Sequence, residues 1–420
     1  MFGKSKAPRV IGPRAAAWVG FGLIGAVIHA VLWKISSPAR LFADFYKAYY
    51  PTAERLWHEG AQPTWQIPGT SEVGFVNIPI VGGLFVPLSF LDKENAGEVF
   101  LLLNVAATAG AWMLLIRLAR PENKIGGALL FFFLANGPLV NGFREGNITP
   151  IIFLLLVVAL SLWNARSDYA AGLVLGICAV VKLPLLLYGI YFLFRRHWSV
   201  VGGIATTIGI TVIASFAIFG IDINFGWYEH CVAPFLGRVI PAFNNQSIDG
   251  FLIRLTTGAD YLFRWDPVEP TTVHENFRIL LFAGAFGGIF YLLRQIDGGV
   301  QNRGGALSAE HFLEYVLVLL LSLVMSPLSW THYYLFLLLP WGLYLGGRLS
   351  LPDDACTRWL MWSGILLSSL PVRYVLVQSS WLNFLLSRTA ASAWLFGGLC
   401  MLVAVTRKFW RTSARQMANS

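Results

Sequence analysis

The sequence predicts an all-α polytopic membrane protein, and its composition and long apolar runs carry that prediction. Hydrophobic residues make up 56% of the 420 residues, whereas charged residues make up only 13%. Several runs approach the ~20 apolar residues that a helix needs to cross a bilayer. Because the runs are continuous rather than alternating, a transmembrane β-barrel is excluded. Helices are the expected elements, since each satisfies its own backbone hydrogen bonds where water is absent.

Eleven apolar blocks follow one another along the chain. The first comes after four basic residues and carries no clear small-x-small cleavage site, so we expect a retained signal-anchor helix rather than a cleaved secretion signal. The blocks are 15–35, 96–116, 126–140, 148–163, 170–194, 199–219, 278–293, 313–326, 331–347, 359–377 and 390–406.

Basic residues at the helix ends give the predicted topology. The tails 1–14 and 407–420 are both basic, so the positive-inside rule places both termini in the cytoplasm and requires an even number of crossings. Pro184 interrupts the block 170–194, because proline removes a ladder hydrogen bond and restricts the residue before it. We divide that block into two short helices that meet near Lys182 at the outer side, and the count becomes about 12 transmembrane helices.

This topology puts the polar clusters on one face of a single transmembrane domain, residues 1–420. We expect that domain in the cell inner (plasma) membrane, with its active site extracytoplasmic. The net charge of +9 comes from helix ends and not from a basic stripe, so nucleic acid is excluded as a partner. The segments predicted to lie outside are the first loop 36–95, the second loop 220–277, and the turns at 141–147, Lys182 and 326–331.

The first outer loop opens with Asp44, just after the first predicted membrane helix. A chain with so few carboxylates that places one at a helix exit is expected to use it, and we assign Asp44 as a general base. The alternative is that Asp44 only caps a short helix, which is expected to run from Tyr46 to Gly60 on the outer surface. The proline-broken stretch 73–91 is expected to form a second interfacial segment.

A second polar cluster, Asn141-Gly-Phe-Arg-Glu-Gly-Asn147, precedes a new apolar block. Gly146 and Asn147 suit a tight turn. Arg144 either forms an ordinary surface pair with Glu145 or binds a phosphate, whose oxygens match the geometry of a guanidinium.

Lys182 lies within apolar sequence, where a lysine costs about 2.5–3.5 kcal/mol at a helix centre. One interpretation is that its side chain extends to the outer headgroups. The other is that it supplies a cation for a lipid-linked phosphate.

Two further clusters fall on the same predicted face. The first, Asn245-Gln246-Ser247 followed by Arg254, is either a plain amide-rich turn or a set of ligands for sugar hydroxyls. The second contains Ser329, Trp330 and His332 between two apolar blocks. His332 is either structural or functional, and an ionisable group within the membrane favours function.

Taken together, these clusters resemble the polytopic GT-C-type glycosyltransferases of family 87, which include mycobacterial mannosyltransferases that use polyprenyl-phosphate mannose. The resemblance runs from about residue 40 to 345. Two positions depart from the family pattern: Gly146-Asn147 stands where Gly-Gln is usual, and Trp65 where Tyr is common. The positions that match are Asp44, Tyr46, Tyr49, Ala53, Gly60 and Trp65; Gly172, Gly176, Lys182 and Pro184; Asn245, Gln246, Ser247 and Arg254; and Ser326, Pro327, Ser329, Trp330 and His332.

The resemblance implies a GT-C-type fold and an inverting transfer of mannose or another hexose from a polyprenyl-phosphate donor to a lipid or glycan acceptor. It makes Asp44 the base and gives His332 a role in orienting the donor. No cofactor is required, and the absence of a D-x-D pair means that the sequence does not require a metal, although a divalent metal stays open. The implied donor-phosphate ligands are Lys182, Arg144 and Arg254, with Arg373 as a further cation. The implied sugar or acceptor ligands are Tyr46, Asn147, Asn245, Gln246, Ser247, Ser329 and Trp330.

Two other functions fit part of the pattern. A secondary transporter would also have about twelve spans, but it would place its charges near the midplane on broken helices rather than at one face. A polymerase or ligase of surface polysaccharide would share the lipid-phosphate donor and differ in its acceptor.

Overall fold

The computed structural model describes residues 41–65, 73–120, 122–295, 307–369 and 379–419. Within these ranges the backbone forms helices joined by turns, and its β-contacts are three isolated bridges, so the all-α prediction is confirmed there. The helices are α1 (44–59), α2 (Pro79–Phe90), α3 (Lys93–Leu118), α4 (Gly126–Leu134), α5 (Gly137–Glu145), α6 (Thr149–Asn164), α7 (Asp168–Val181), α8 (Leu183–Phe194), α9 (Trp198–Trp227), α10 (Ile248–Thr256), α11 (Thr272–Gln295), α12 (Ala309–Val324), α13 (331–345), α14 (Ala355–Ser369), α15 (Ser380–Arg388) and α16 (Ala393–Asn419).

Three helical stretches of the described chain are long and apolar enough to cross a membrane: Lys93–Leu118, Trp198–Phe235 and Ser380–Trp410. The pair α4 and α5 would make a fourth span, bent by 52° at its break. The membrane character is therefore confirmed. Every other predicted block also contains a helix, although none of these helices is among the candidate spans, apart from the first block, 15–35, which lies outside the described residues. A total of twelve crossings stays a prediction.

The block 170–194 forms a helical hairpin with Lys182 at its turn, as predicted from Pro184. The helices α7 and α9 run in the same direction. Thr207 of α9 donates to Leu173 O of α7 at 3.0 Å, and Thr206, the residue before it, contacts Tyr169, which lies one turn before Leu173 in α7. The connecting helix α8 must therefore return along them. With about 1.5 Å of rise per residue, the 14 residues of α7 span about 21 Å, which is shorter than the ~30 Å hydrocarbon core.

Glycines allow α7 and α9 to pack at close distance. A Cβ atom at Gly172 would lie 2.1 Å from Val200 O, and one at Gly203 would lie 2.3 Å from Tyr169 O. Both obstacles are backbone atoms, which cannot move aside as a flexible side chain can. Small residues at helix interfaces are the usual means of bringing membrane helices together. These contacts fix the hairpin, and with it the position of Lys182.

Two predicted boundaries are wrong. The stretch 141–147, expected to be a turn, is helical as far as Glu145, and the chain turns only at Gly146, which ends α5 with a φ of +63°. The second loop was expected to begin at residue 220, but the helix continues to Trp227 beyond a break at Gly220, where φ is +73°. In both places a glycine in the left-handed region bends the chain, and the polar residues beside it keep helical geometry.

The first loop contains the predicted surface helix, α1, which ends at Gly60 with a φ of +62°. Its first and last turns are π-helical, so their hydrogen bonds join residues five positions apart instead of four. The helix is attached to α3 by aromatic contacts. The rings of Phe45 and Phe100 stack with their centroids 4.9 Å apart, and the Tyr46 hydroxyl lies against Gly97.

We expect that Gly203→Ala lowers the thermal unfolding temperature of the protein in detergent, because the added methyl group must force α7 and α9 apart. Overpacking of this kind costs about 1–3 kcal/mol. Gly209→Ala is the matched control, since it lies in the same helix and a Cβ there meets nothing within 4 Å. Equal unfolding temperatures for the two variants would contradict the close packing of the hairpin.

Candidate active site

Asp44 lies at the start of α1 and faces the turn between α5 and α6. Its Oδ2 atom accepts a hydrogen bond from Asn147 Nδ2 at 2.5 Å. The cap position of the helix is Ala43, and the Asp44 carboxylate is directed at another element of the fold. The interpretation of Asp44 as a simple helix cap is therefore wrong.

Asn147 connects Asp44 to Lys182. Its Oδ1 atom accepts from Lys182 Nζ at 3.2 Å and from the backbone N–H of Thr149 at 3.0 Å. The left-handed turn at Gly146 brings Asn147 into this place, and the turn packs directly against α1. A Cβ at Gly146 would lie 2.9 Å from the ring of Phe42.

The Lys182 side chain points into the protein. The residue is only 5% exposed, and its ammonium lies 4.5 Å from the ring centroid of Tyr333. A cation over an aromatic face is stabilised by the ring quadrupole. Lys182 thus meets an amide and a ring instead of the headgroups, and the interpretation that it snorkels is wrong.

His332 lies beside Lys182 at the start of α13. It is 8% exposed, and in the described part of the chain its buried Nε2 atom has no hydrogen-bond partner. A buried polar atom without a partner is costly, and such atoms in native proteins usually serve a ligand or an ordered water. The segment is fixed to α5 by Asn141 Nδ2, which donates to Thr331 Oγ1 at 3.1 Å.

Burial raises the pKa of Asp44 above its ordinary value, and the hydrogen bond from Asn147 and the charge of Lys182 partly oppose that rise. Burial also raises the pKa of Tyr49, with the nearby Asp44 charge as the second cause. Desolvation disfavours the charged form of each group. The carboxylate therefore sits in a place where taking up a proton is favoured more than it is in water.

The residues Asn245, Gln246 and Ser247 are fully buried and bond to the protein itself. Asn245 Nδ2 donates to Ile240 O at 2.9 Å, and Gln246 Nε2 donates to Ala391 O at 2.5 Å. Ser247 Oγ caps α10 by accepting from Gly250 N at 2.9 Å. We call these three residues, with Arg254, the amide network.

Arg254 is 2% exposed and binds backbone oxygens. Its Nη1 atom donates to Ala242 O at 3.0 Å and Asn245 O at 2.9 Å, and its Nη2 atom donates to Ser392 Oγ at 3.0 Å. These bonds occupy both Nη atoms and join the second loop to the start of α16, whereas the buried Nε atom has no hydrogen-bond partner in the described part of the chain. The contacts of Arg254 and of Asn245, Gln246 and Ser247 that the structure shows are thus to the protein itself.

The remaining predicted residues have different surroundings. Arg144 is half-buried, and its Nε atom has no hydrogen-bond partner in the described part of the chain. Tyr46 is turned toward α3, with the Lys93 ammonium 5.7 Å from its ring centroid. Ser329 is buried in the amide network, where its N–H donates to Asn245 Oδ1, and Trp330 beside it is half-buried. Arg373 lies outside the described residues.

The structure therefore gathers Asp44, Asn147, Lys182 and His332 from four separate segments. We call these four residues the charged cluster. Sequence reasoning gave no role at the site to two of its neighbours, Tyr49 and Tyr333, although Tyr49 was among the positions that match the family. Tyr333 is adjacent to His332 in the chain and had a signal of its own, whereas Tyr49 faces Asp44 only because the first turn of α1 is π-helical.

No group of three or more His, Cys, Asp or Glu side chains suited to a metal occurs among the described residues. The polar atoms of the charged cluster are one carboxylate, one amide, one ammonium and one imidazole. Such a set can accept a proton at one end and bind an anion at the other.

The chain matches the model of glycosyltransferase family 87 over residues 75–327, more than half of its length. This range includes Asn147 and Lys182, and it ends before His332 and begins after Asp44. The chain is 28% identical over 335 residues to the polyprenol-phosphate-mannose-dependent alpha-(1-2)-phosphatidylinositol pentamannoside mannosyltransferase of Mycolicibacterium smegmatis, covering 79% of this chain and 74% of the relative. It is 24% identical over 360 residues to the corresponding phosphatidylinositol mannoside mannosyltransferase of Mycobacterium tuberculosis, covering 79% and 78%.

The contrast between the two arginines gives a test of their roles. We expect Arg254→Met to lower the thermal unfolding temperature clearly, because buried carbonyls left without a donor cost about 1–3 kcal/mol each. Arg144→Met is the control, since within the described residues the Arg144 guanidinium donates no such bonds, whereas the Nη atoms of Arg254 donate to Pro241 O, Ala242 O, Asn245 O and Ser392 Oγ. If Arg254→Met were as stable as the control, the bracing role of Arg254 would be ruled out.

Proposed function

Since the chain belongs to glycosyltransferase family 87, we propose that it moves mannose, or a related hexose, from a polyprenyl-phosphate carrier to a hydroxyl of a lipid or glycan acceptor. The names of the two mycobacterial relatives support this donor, and they support a phosphatidylinositol mannoside as the first acceptor to try. The observation that carries the proposal is the junction of Asp44 and Lys182 through one amide.

In the proposed reaction Asp44 is the general base. The acceptor hydroxyl attacks the anomeric carbon from the face opposite the phosphate, and its proton passes to the Asp44 carboxylate as the new carbon–oxygen bond forms. The bond between the anomeric carbon and the phosphate oxygen breaks, and polyprenyl phosphate leaves with that electron pair. One displacement of this kind inverts the configuration of the sugar.

The leaving group acquires negative charge, and Lys182 is placed to stabilise it. An ammonium in a site shielded from water acts more strongly on a developing charge than one in solvent. His332, whose buried Nε2 atom has no partner among the residues that the structure describes, is proposed to hydrogen-bond the same phosphate or the sugar. Arg144 is proposed as a second cation for the phosphate, and Trp330 and Tyr46 as contacts of the sugar or acceptor.

The raised pKa of Asp44 suits a base. A carboxylate with a raised pKa accepts a proton more readily in the transition state than one with an ordinary pKa. Burial supplies this rise, and Asn147 and Lys182 partly oppose it.

The fold supports an extracytoplasmic site. At the end of the α7–α8 hairpin opposite Lys182, several basic residues gather around α12. Arg195 pairs with Glu314 at that end, and Arg348 lies over the ring of Phe312, 5.5 Å from its centroid. Basic residues favour the cytoplasmic side, so Lys182 and the charged cluster are proposed to face the other side of the plasma membrane.

The two alternative functions, a secondary transporter and a polysaccharide polymerase or ligase, are not equally compatible with the family. A glycosyltransferase family does not fit a secondary transporter, and we do not propose one. A polysaccharide polymerase or ligase would use the same charged cluster and differ only in the acceptor. The choice between them depends on which hydroxyl compound receives the sugar.

We expect Asp44→Asn to reduce mannose transfer by roughly 10²–10⁴-fold, which is the usual contribution of a general base. The measurement is transfer of radiolabelled mannose from polyprenyl-phosphate mannose to phosphatidylinositol mannosides in proteoliposomes. Asp266→Asn is the control, because Asp266 is an exposed acid in the second loop. Normal turnover by Asp44→Asn would remove Asp44 as the base.

We expect Lys182→Met to move the acid limb of the kcat/KM profile to higher pH. The positive charge of Lys182 lowers the pKa of Asp44, so its removal raises that pKa, and Asp44 then loses its ionised form at a higher pH as the solution is acidified. The KM for the donor should rise as well. The exposed Lys124, changed to Met, is the control, and an unshifted profile with an unchanged donor KM would separate Lys182 from both the base and the phosphate.

A further inference from the structure

The Asn147 amide contacts both charges of the cluster at once. Its Nδ2 atom donates to Asp44 Oδ2 at 2.5 Å, and its Oδ1 atom accepts from Lys182 Nζ at 3.2 Å. The carboxylate and the ammonium thus each meet the amide instead of each other. A neutral side chain between two opposite charges, in a largely buried place, requires a physical reason.

The orientation of this amide is fixed by the backbone. Asn147 is 4% exposed, and its Oδ1 atom also accepts the N–H of Thr149 at 3.0 Å. A backbone N–H can only donate, so the oxygen must face Thr149 and the NH₂ group must face Asp44. The backbone N–H of Asn147 is itself held by Gly142 O at 2.9 Å. The amide is therefore a rigid part of the turn.

A direct ion pair between Asp44 and Lys182 would be harmful to the proposed reaction. A buried carboxylate paired with an ammonium has a lowered pKa and is a weaker base. The ammonium would also direct its N–H groups to the carboxylate, and fewer would be left for a phosphate. Two groups that must act on different parts of a substrate have to be kept from neutralising each other.

We propose that Asn147 is a positioning residue that holds Asp44 and Lys182 apart, each by one hydrogen bond. The carboxylate then keeps an oxygen for the acceptor hydroxyl, and the ammonium keeps N–H groups for the donor phosphate. This inference rests on the proposed transfer reaction.

The other groups around the carboxylate do not replace the amide. Asp44 is faced by Tyr49 from its own helix, by Lys182 from the hairpin and by Tyr333 from α13. His332 lies near Lys182. Among these residues Lys182 is the one whose positive charge lowers the pKa of Asp44, so the distance between the two groups affects the charge of the carboxylate.

Two substitutions distinguish a residue that holds the two charges apart from one that only forms the turn. Asn147→Ser and Asn147→Asp both keep an oxygen that can accept the Thr149 N–H, so both preserve the turn. The serine is too short to stand between the charges, and we expect Lys182 to close on Asp44. The aspartate puts a second carboxylate against Asp44 in place of the NH₂ group.

The measurement is an infrared titration of the Asp44 carboxyl in the full-length protein, assigned by the band that Asp44→Asn removes. If Asn147 holds the two charges apart, the pKa of Asp44 should fall in Asn147→Ser, where an ion pair forms. The pKa of Asp44 should rise in Asn147→Asp, where like charges oppose each other. This role of Asn147 also predicts that mannose transfer falls at least about tenfold in both variants.

Three results would overturn the inference. One is a pKa that rises in Asn147→Ser, since the amide would then only donate a hydrogen bond. Another is an unshifted pKa in both variants, and the last is wild-type transfer by both, as a residue needed only for the turn would give. The titration does not depend on turnover. A wild-type protein without transferase activity would refute the proposed function, and the titration would still decide whether Asn147 holds Asp44 and Lys182 apart.

Discussion

The site depends on one electrostatic constraint: a carboxylate and an ammonium share a poorly hydrated place without forming an ion pair. Each must still be solvated by something, because an isolated charge away from water is very costly. The amide of Asn147 serves both, and the ring of Tyr333 lies 4.5 Å from the ammonium. The turn at Gly146, the hairpin of α7 and α8 and the contact of α1 with α3 all act to bring these groups to one point.

The amide network has a supporting role in the same arrangement. Asn245 and Gln246 bond to the backbone of the segment that leads into α13, since Asn245 Oδ1 accepts from Ser329 N and the Gln246 N–H donates to Ser329 O. Arg254 fastens the second loop to the start of α16. His332 follows this segment directly. Residues that the sequence suggested as ligands thus bond to the protein itself, and they hold the segment that carries His332.

The sequence predicted the helices and the hairpin better than the site. Apolar blocks and proline mark helices by local rules, and Lys182 at the hairpin turn followed from Pro184 alone. The meeting of Asp44, Asn147 and Lys182 was predicted only as a shared face, because contacts across 103 residues leave no local pattern. The roles of Asn245 and Arg254 could not be assigned from sequence. Each side chain has donor groups that could bind either a ligand or a backbone carbonyl. No sequence pattern marked the π-helical turn that directs Tyr49 toward Asp44.

The order of the partners along the chain bears on how the protein is assembled at the ribosome. Lys182 is bonded to a residue 35 positions before it, and that residue in turn to one near the start of the described chain. When the hairpin leaves the insertion machinery, the amide that will receive its ammonium has therefore already been synthesised. Only the ring of Tyr333 arrives later. A lysine inserted in this order spends little time unpaired in lipid. Its pairing with Asn147 does not have to wait for the synthesis of the C-terminal helices.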